Sequence, residues 1–290
     1  MPKLIDTHAH LNFNAFKNDV DKVVRQCLAN DVWMINVGTK YETSQKAVEL
    51  AQKYEKGVFA AIGLHPIHLD TGLVKIKNDT EEVEVHAAEE FFDYQKYEEL
   101  AKSPKVVAIG EVGLDYYWRP KTTKKKELFK QKQKDLLTKQ LDLAKELNLP
   151  VIFHCRMAYN DLVEILRKRR NINKYTPDEL LIKGVVHCFA GSWQQAQRFL
   201  EMGFCLGFNG IIFKKIKDID FEEVIRNTPL DRVLLETDCP YLAPPPTEGR
   251  NDPLTLKYIV ERVAKIKNLS YEKVAEATTE NAKKLFSISI

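Results

Sequence analysis

Short runs of Val, Ile, Leu and Ala alternate along this 290-residue chain with longer stretches whose apolar residues recur every three or four positions. The short runs read as strands and the longer stretches as amphipathic helices, because side chains share a face at period two in an extended chain and at period 3.6 in a helix. Eight strand-like runs can be marked, with C-terminal ends near residues 8, 37, 65, 111, 154, 187, 207 and 238. Helical patterning follows at Val20–Ala29, Thr43–Tyr54, Glu90–Ala101, Lys126–Leu147 and Tyr159–Arg169, and again from Ser192 to Met202. Shorter or later helices are predicted at Phe221–Arg226, Leu254–Lys267 and Ser270–Leu285. Ser192-Trp193-Gln194-Gln195 has the spacing of a capping box.

The strand-like runs are continuously apolar rather than alternating, as expected for parallel strands covered on both faces. Their spacing fits repeated βα units of roughly 30 residues or more. Eight such units predict an α/β fold, a (β/α)8 TIM barrel forming one domain over 1–290, with its active site at the C-terminal ends of the strands. A doubly wound open sheet is the alternative, and the absence of a Gly-rich turn after the first strand speaks against it. The rhythm breaks in five places. Asp70-Thr71-Gly72 reads as a turn and 78–90 as an acidic surface excursion. Glu111 opens a loop, Arg167–Lys174 is basic and loop-like, and Ala243–Pro246 is expected to be rigid and extended.

Composition narrows the picture modestly. Hydrophobic residues make up 44% and charged ones 29%, which describes an ordinary globular chain with enough apolar surface for a core. A net charge of +3 leaves the choice of partner to local clustering. No apolar run approaches the ~20 residues of a membrane span. The first residues pattern as a strand, not a secretion signal, and five cysteines without a C-x-x-C argue for a reducing compartment, so a cytoplasmic location is expected.

The chemistry gathers at the strand ends. His8 and His10 lie two apart on the first strand, so their rings point the same way. Glu111, His154, His187 and Asp238 stand at the ends of the fourth, fifth, sixth and eighth, and His65 at the third. One strand-end histidine has an ordinary explanation, a polar residue satisfied by a backbone group. Four histidines and two carboxylates at one barrel mouth, in a chain of seven histidines, instead suit two divalent cations sharing a carboxylate. Cys155, Cys188 and Cys239 adjoin these residues and are expected to turn away and pack; His68 and His86 are read as solvated loop residues. His65 is left open between contact with a substrate phosphate and rim structure.

Six motifs together resemble the TatD family of metal-dependent deoxyribonucleases, within the amidohydrolase-like metal hydrolases. They are Asp6-Thr7-His8-Ala9-His10-Leu11, Gly63-Leu64-His65-Pro66, Gly110-Glu111-Val112-Gly113-Leu114-Asp115-Tyr116-Tyr117, His154-Cys155-Arg156, His187-Cys188-Phe189-Ala190-Gly191 and Glu236-Thr237-Asp238-Cys239-Pro240. The resemblance implies one metal held by His8, His10, Glu111 and Asp238, and another by Glu111, His154 and His187, as Zn, Mn or Mg. It implies phosphodiester hydrolysis of DNA, as a 3′–5′ exonuclease on single strands or 3′ ends with RNA as a further substrate. No membrane partner is expected, and the oligomeric state is left open with a monomer favoured. Asp238 and Glu111 would be catalytic. Arg156 and Arg250 are candidates to clamp phosphate, His65 to contact it, and Tyr116 to stack a base ahead of the Lys121–Lys134 run. The family's Arg-Asn-Glu-Pro element stands here as Arg250-Asn251-Asp252-Pro253, and 78–90 and 170–182 look like added length. Glu111, at the position where many barrel hydrolases of the broader group use a modified lysine, favours this reading over an amidase or lactonase. A metal-binding protein without catalysis is the remaining rival.

Overall fold

The computed structural model describes residues 2–69, 72–73, 81–82, 90–172 and 182–289, with side chains except at 170–172. Asp70, Thr71, His86, most of 78–90 and most of 170–182 therefore lie outside the described residues. Strands β1 (Leu4–Ala9), β2 (Val32–Val37), β3 (Val58–Ile62) and β4 (Val106–Asp115) are followed by β5 (Val151–Arg156), β6 (Gly184–Val186), β7 (Cys205–Phe208) and β8 (Val233–Leu235). They pair in parallel in sequence order as one eight-stranded sheet, and helices alternate with them around a nearly closed barrel. This is the (β/α)8 architecture predicted above.

One apolar cluster draws a residue from every strand: Ile5, Trp33, Ala61, Val107, Ile152, Val185, Cys205 and Leu234. Only side chains pointing into the barrel can meet in this way, so the barrel is filled, and Phe286 and Ile288 join the same cluster at its base. The larger cluster lies between the strands and the helices. β1 and β8 close the barrel through side chains. The Thr7 hydroxyl donates to Leu235 O (3.1 Å), and Asp6 accepts from the Thr237 N–H (3.0 Å) and hydroxyl (2.6 Å). Burial pushes the Asp6 carboxyl up to about 7, against the pull of these donors.

The helices are α1 (Val20–Ala29), α2 (Tyr41–Gln52), α3 (Tyr94–Leu100), α4 (Thr123–Glu146) and α5 (Tyr159–Ile172), then α6 (Trp193–Leu200), α7 (Phe221–Asn227), α8 (Leu256–Lys267) and α9 (Tyr271–Phe286). α1 matches its prediction, and α6 carries the capping box: Ser192 Oγ accepts from the Gln195 N–H at 3.3 Å, and Gln195 Oε1 from the Ser192 N–H at 2.9 Å. α3 starts later than the pattern suggested because Asp93 caps it, accepting from the Lys96 N–H. No described helix is long and apolar enough to cross a membrane.

Four expectations are corrected. β4 does not end in a loop at Glu111; it continues to Asp115 because Val112 and Leu114 are buried and the segment pairs with β5 as far as Asp115↔Arg156. Arg167–Ile172 is helical, with Arg167 and Lys168 exposed on a helix that buries Leu162, Val163 and Leu166. The proline segment bends, with the Thr247 N–H donating to Pro244 O at 2.8 Å. The eighth strand ends at Leu235, three residues before Asp238.

Candidate metal centre

The strand ends converge on Glu111. It follows a cis peptide bond at Gly110 on β4 and is almost wholly buried. Its two carboxylate oxygens face different groups. Oε2 lies 3.4 Å from His8 Nε2, which in turn lies 3.1 Å from His10 Nε2 and 3.7 Å from Asp238 Oδ1. His10 Nε2 is 3.4 Å from that same Asp238 oxygen. Oε1 lies 2.8 Å from His154 Nδ1, 3.0 Å from His187 Nε2 and 3.5 Å from His65 Nε2. Three overlapping sets arise in which every ligand atom is within 4.8 Å of the others: His8, His10 and Glu111; His8, His187 and Asp238; His65, Glu111 and His154.

The rings are held by their far sides. His10 Nδ1 bonds Val37 O at 2.8 Å while the ring stacks on Phe13, so its hydrogen is committed and a bare Nε2 faces the cluster. His187 Nδ1 bonds Glu236 Oε1 at 3.2 Å, and its ring stacks on His8 with centroids 3.8 Å apart. His154 Nε2 bonds Asp115 Oδ2 at 3.2 Å. With their far sides held in this way, the rings turn a nitrogen toward Glu111 or Asp238, and these nitrogens and carboxylate oxygens together form a borderline-hard N/O donor set that fits a divalent cation.

Burial works against charge throughout the cluster, and the neighbours decide which groups hold it. Glu111 stays well below the usual carboxylate range because His187 and His65 outweigh burial. Asp238 is likewise lowered, by its bond to His10 and by His187. Burial also opposes charge on His154, yet Asp115 and Glu111 push it up to about 9. His65 has burial and His154 against it and falls to about 3. The carboxylates are therefore ionised at neutral pH, in a pocket that collects positive charge.

All six residues expected to bind metal thus meet at one place, and His65 joins them more closely than a rim residue would. The predicted substrate contacts divide. Arg156, at the end of β5, is exposed, and its guanidinium lies 3.7 Å over the Tyr117 ring. Arg250 is instead engaged: its two terminal nitrogens bond Asp19 at 3.0 and 2.7 Å, and it donates to Ala15 O. Tyr116 is turned inward, with its hydroxyl 2.8 Å from Asp161, so it does not present a free ring to a base. Its neighbour Tyr117 is instead 49% exposed. His68 is not a freely solvated residue either; Nε2 lies 2.9 Å from Glu82 Oε1. Cys155 and Cys239 are buried as expected. Cys188 Sγ reaches Asn209 Oδ1 at 3.6 Å, and burial pushes its thiol up to about 12.

Three supporting residues escaped the sequence reading. Asp115 aligns His154, and Glu236 holds His187, the Cys188 N–H (2.6 Å) and Asn209 Nδ2 (3.1 Å). Asp115 and Glu236 both lie inside quoted motifs, and their carboxylates next to ligand positions were the available signal. Asn209 had none.

Comparison with known proteins agrees with this geometry. Residues 5–287 match the model of the family described as TatD related DNase. The chain is 38% identical over 289 residues to an uncharacterized metal-dependent hydrolase, YabD, of Bacillus subtilis, covering 99% of this chain and 100% of the relative. It is 30% identical to a protein of Pantoea ananatis named 3′-5′ ssDNA/RNA exonuclease TatD, covering 98% of this chain and 100% of that one. The crystal structure of YJJV, a TatD homolog from Escherichia coli K12, superposes with a TM-score of 0.77 at 28% identity, covering 99% of each chain. The chain belongs to the TatD-related DNase family and is a metal-dependent hydrolase of the TatD type.

Proposed function

We propose that this chain is a deoxyribonuclease that shortens single DNA strands from the 3′ end, with RNA as a second substrate. The observation that carries the reading is the division of Glu111 between two donor groups, Oε2 toward His8 and Oε1 toward His154 and His187. In this reading His8, His10, Glu111 and Asp238 hold one divalent cation and Glu111, His154 and His187 a second, of Zn, Mn or Mg. When bound, such ions supply Lewis-acid polarisation of the phosphoryl oxygen and a hydroxide at neutral pH. The protein's own groups do the rest. Asp238 is ionised and 15% exposed at the side chain, so it can accept the proton of the attacking water. Arg156, stacked on Tyr117 and with no carboxylate partner among the described residues, pairs with a non-bridging phosphate oxygen, whereas Arg250 is already paired. The name of the Pantoea ananatis relative supports a nucleic-acid substrate.

Digestion of a 5′-labelled single strand, read by product length, tests this. Metal-loaded protein should yield a ladder descending one nucleotide at a time, abolished by chelator. Asp238→Asn should fold normally and lose about 10²–10⁴-fold in kcat, the usual worth of general acid–base assistance. Internal cuts alone would overturn the exonuclease reading. No cleavage of DNA or RNA with any of the three metals would overturn the nuclease reading.

A further inference from the structure

Beside the metal centre, on the same rim, lies a groove of about 550 Å³. Its walls come from the segments that follow β4, β5, β6 and β7, and include Tyr116, Lys130, Met157, Asn160, Gln195 and Lys217. Tyr116 is one residue beyond Asp115 and Met157 three beyond His154, so the groove lies on the rim that carries the catalytic groups.

Asn160 Oδ1 accepts from Arg198 at 2.6 Å and Gln195 Oε1 accepts from the Ser192 N–H. Each amide oxygen already accepts one bond, and the amide nitrogens can donate to a ligand. Asp161 also lines the groove, but it accepts from Tyr116 and pairs with Lys134 at 2.8 Å. Lys130 stands 5.4 Å over the Tyr116 ring and pairs with Glu127 at 3.1 Å, and Lys217 lies next to the exposed Asp218. Met157 supplies the apolar face. It is 58% exposed and held at φ 58°, a left-handed conformation that costs a long side chain energy and recurs at functional sites. A ligand suited to this surface has a flat apolar face and acceptor atoms along its edge.

We infer that the groove seats a nucleobase of the strand being cut, with Met157 against its face and the Asn160 and Gln195 amide donors on its edge. This rests on the nuclease reading above and adds a requirement to it: the base must be unpaired to enter. A duplex, whose base edges are already bonded, is excluded.

The test uses fluorescein-labelled single strands carrying one abasic nucleotide at each of the last three 3′ positions. Binding is followed by anisotropy in chelator, and KM and kcat with metal. In the wild type, one abasic position should weaken binding and raise KM about tenfold, within the range for loss of one stacked base. In the double variant Met157→Ala, Asn160→Ala that same position should cost less than twofold, because the partner of the base is already gone. Both side chains are on the surface, and Asn160→Ala alone should show an intermediate loss. Equal abasic penalties in wild type and double variant would overturn the groove while leaving the nuclease reading intact. So would the absence of a penalty at every position. Wild-type protein that hydrolyses bis-p-nitrophenyl phosphate but neither binds nor cuts any oligonucleotide would remove the nuclease reading, and the groove proposal with it.

Discussion

The His187 ring turns one nitrogen to Glu111 and the other to Glu236, which also receives the Cys188 N–H and Asn209. Glu236 fits there because Gly207 has no Cβ; one built on that residue would lie 2.3 Å from Glu236 Oε2. Such outer carboxylates orient a ligand imidazole and raise its basicity. Glu236→Gln should therefore leave the fold intact and weaken metal binding about 10–100-fold, measured by competition with a chelating indicator. Unchanged affinity would show that His187 needs no such support. The residues expected to bind metal were legible because each lies within or a few residues beyond an apolar run. Glu236 was not, since its role depends on how close β6, β7 and β8 pass to one another, and no local pattern records that distance. Tyr116 failed for a similar reason: position placed it at the rim, but only packing decides that Asp161 draws it inward and leaves Tyr117 outside.

Among the elements, α4 does the most to place the rim. Gln133 and Gln140, seven residues apart and so on one face of the helix, are buried and reach the barrel. Gln140 Oε1 accepts from the Leu64 N–H at 2.8 Å and its Nε2 donates to Leu64 O at 3.0 Å. Gln133 makes the same pair of bonds with Asp115, at 2.8 and 2.9 Å. Each amide thus stands in for a neighbouring strand, and the residues so fixed are Asp115 itself and the one before His65. Gln140→Leu would leave a buried N–H and C=O unpaired, so stability should fall by roughly 2 kcal/mol or more, given about 1–3 kcal/mol per orphaned group. Urea unfolding measures this; a loss under about 0.5 kcal/mol would mean that water or a backbone shift replaces both bonds. The 3.6-residue period found α4, but period alone cannot separate a buried glutamine from a solvated one. Nor could it follow β4 past Glu111, where glycines interrupt an otherwise apolar run; the pairing with β5 settles that stretch.

At the scale of the molecule, eight βα units read from apolar runs became eight parallel strands in sequence order, because buried parallel strands leave a continuous signal. What the runs could not show is the seam, where Asp6, Thr7 and Thr237 join β1 to β8 and so bring His8 and His10 beside Asp238. Strands one, four, five, six and eight thus bring their residues to a single carboxylate, which in the function proposed above two cations share. Metal content after dialysis against excess Zn or Mn, determined for wild type and Glu111→Ala with circular dichroism to confirm folding, tests it most directly. Two ions per wild-type chain, with both positions depleted in the folded variant, is the predicted result. Two ions retained by Glu111→Ala, or a wild type that binds only one, would contradict it.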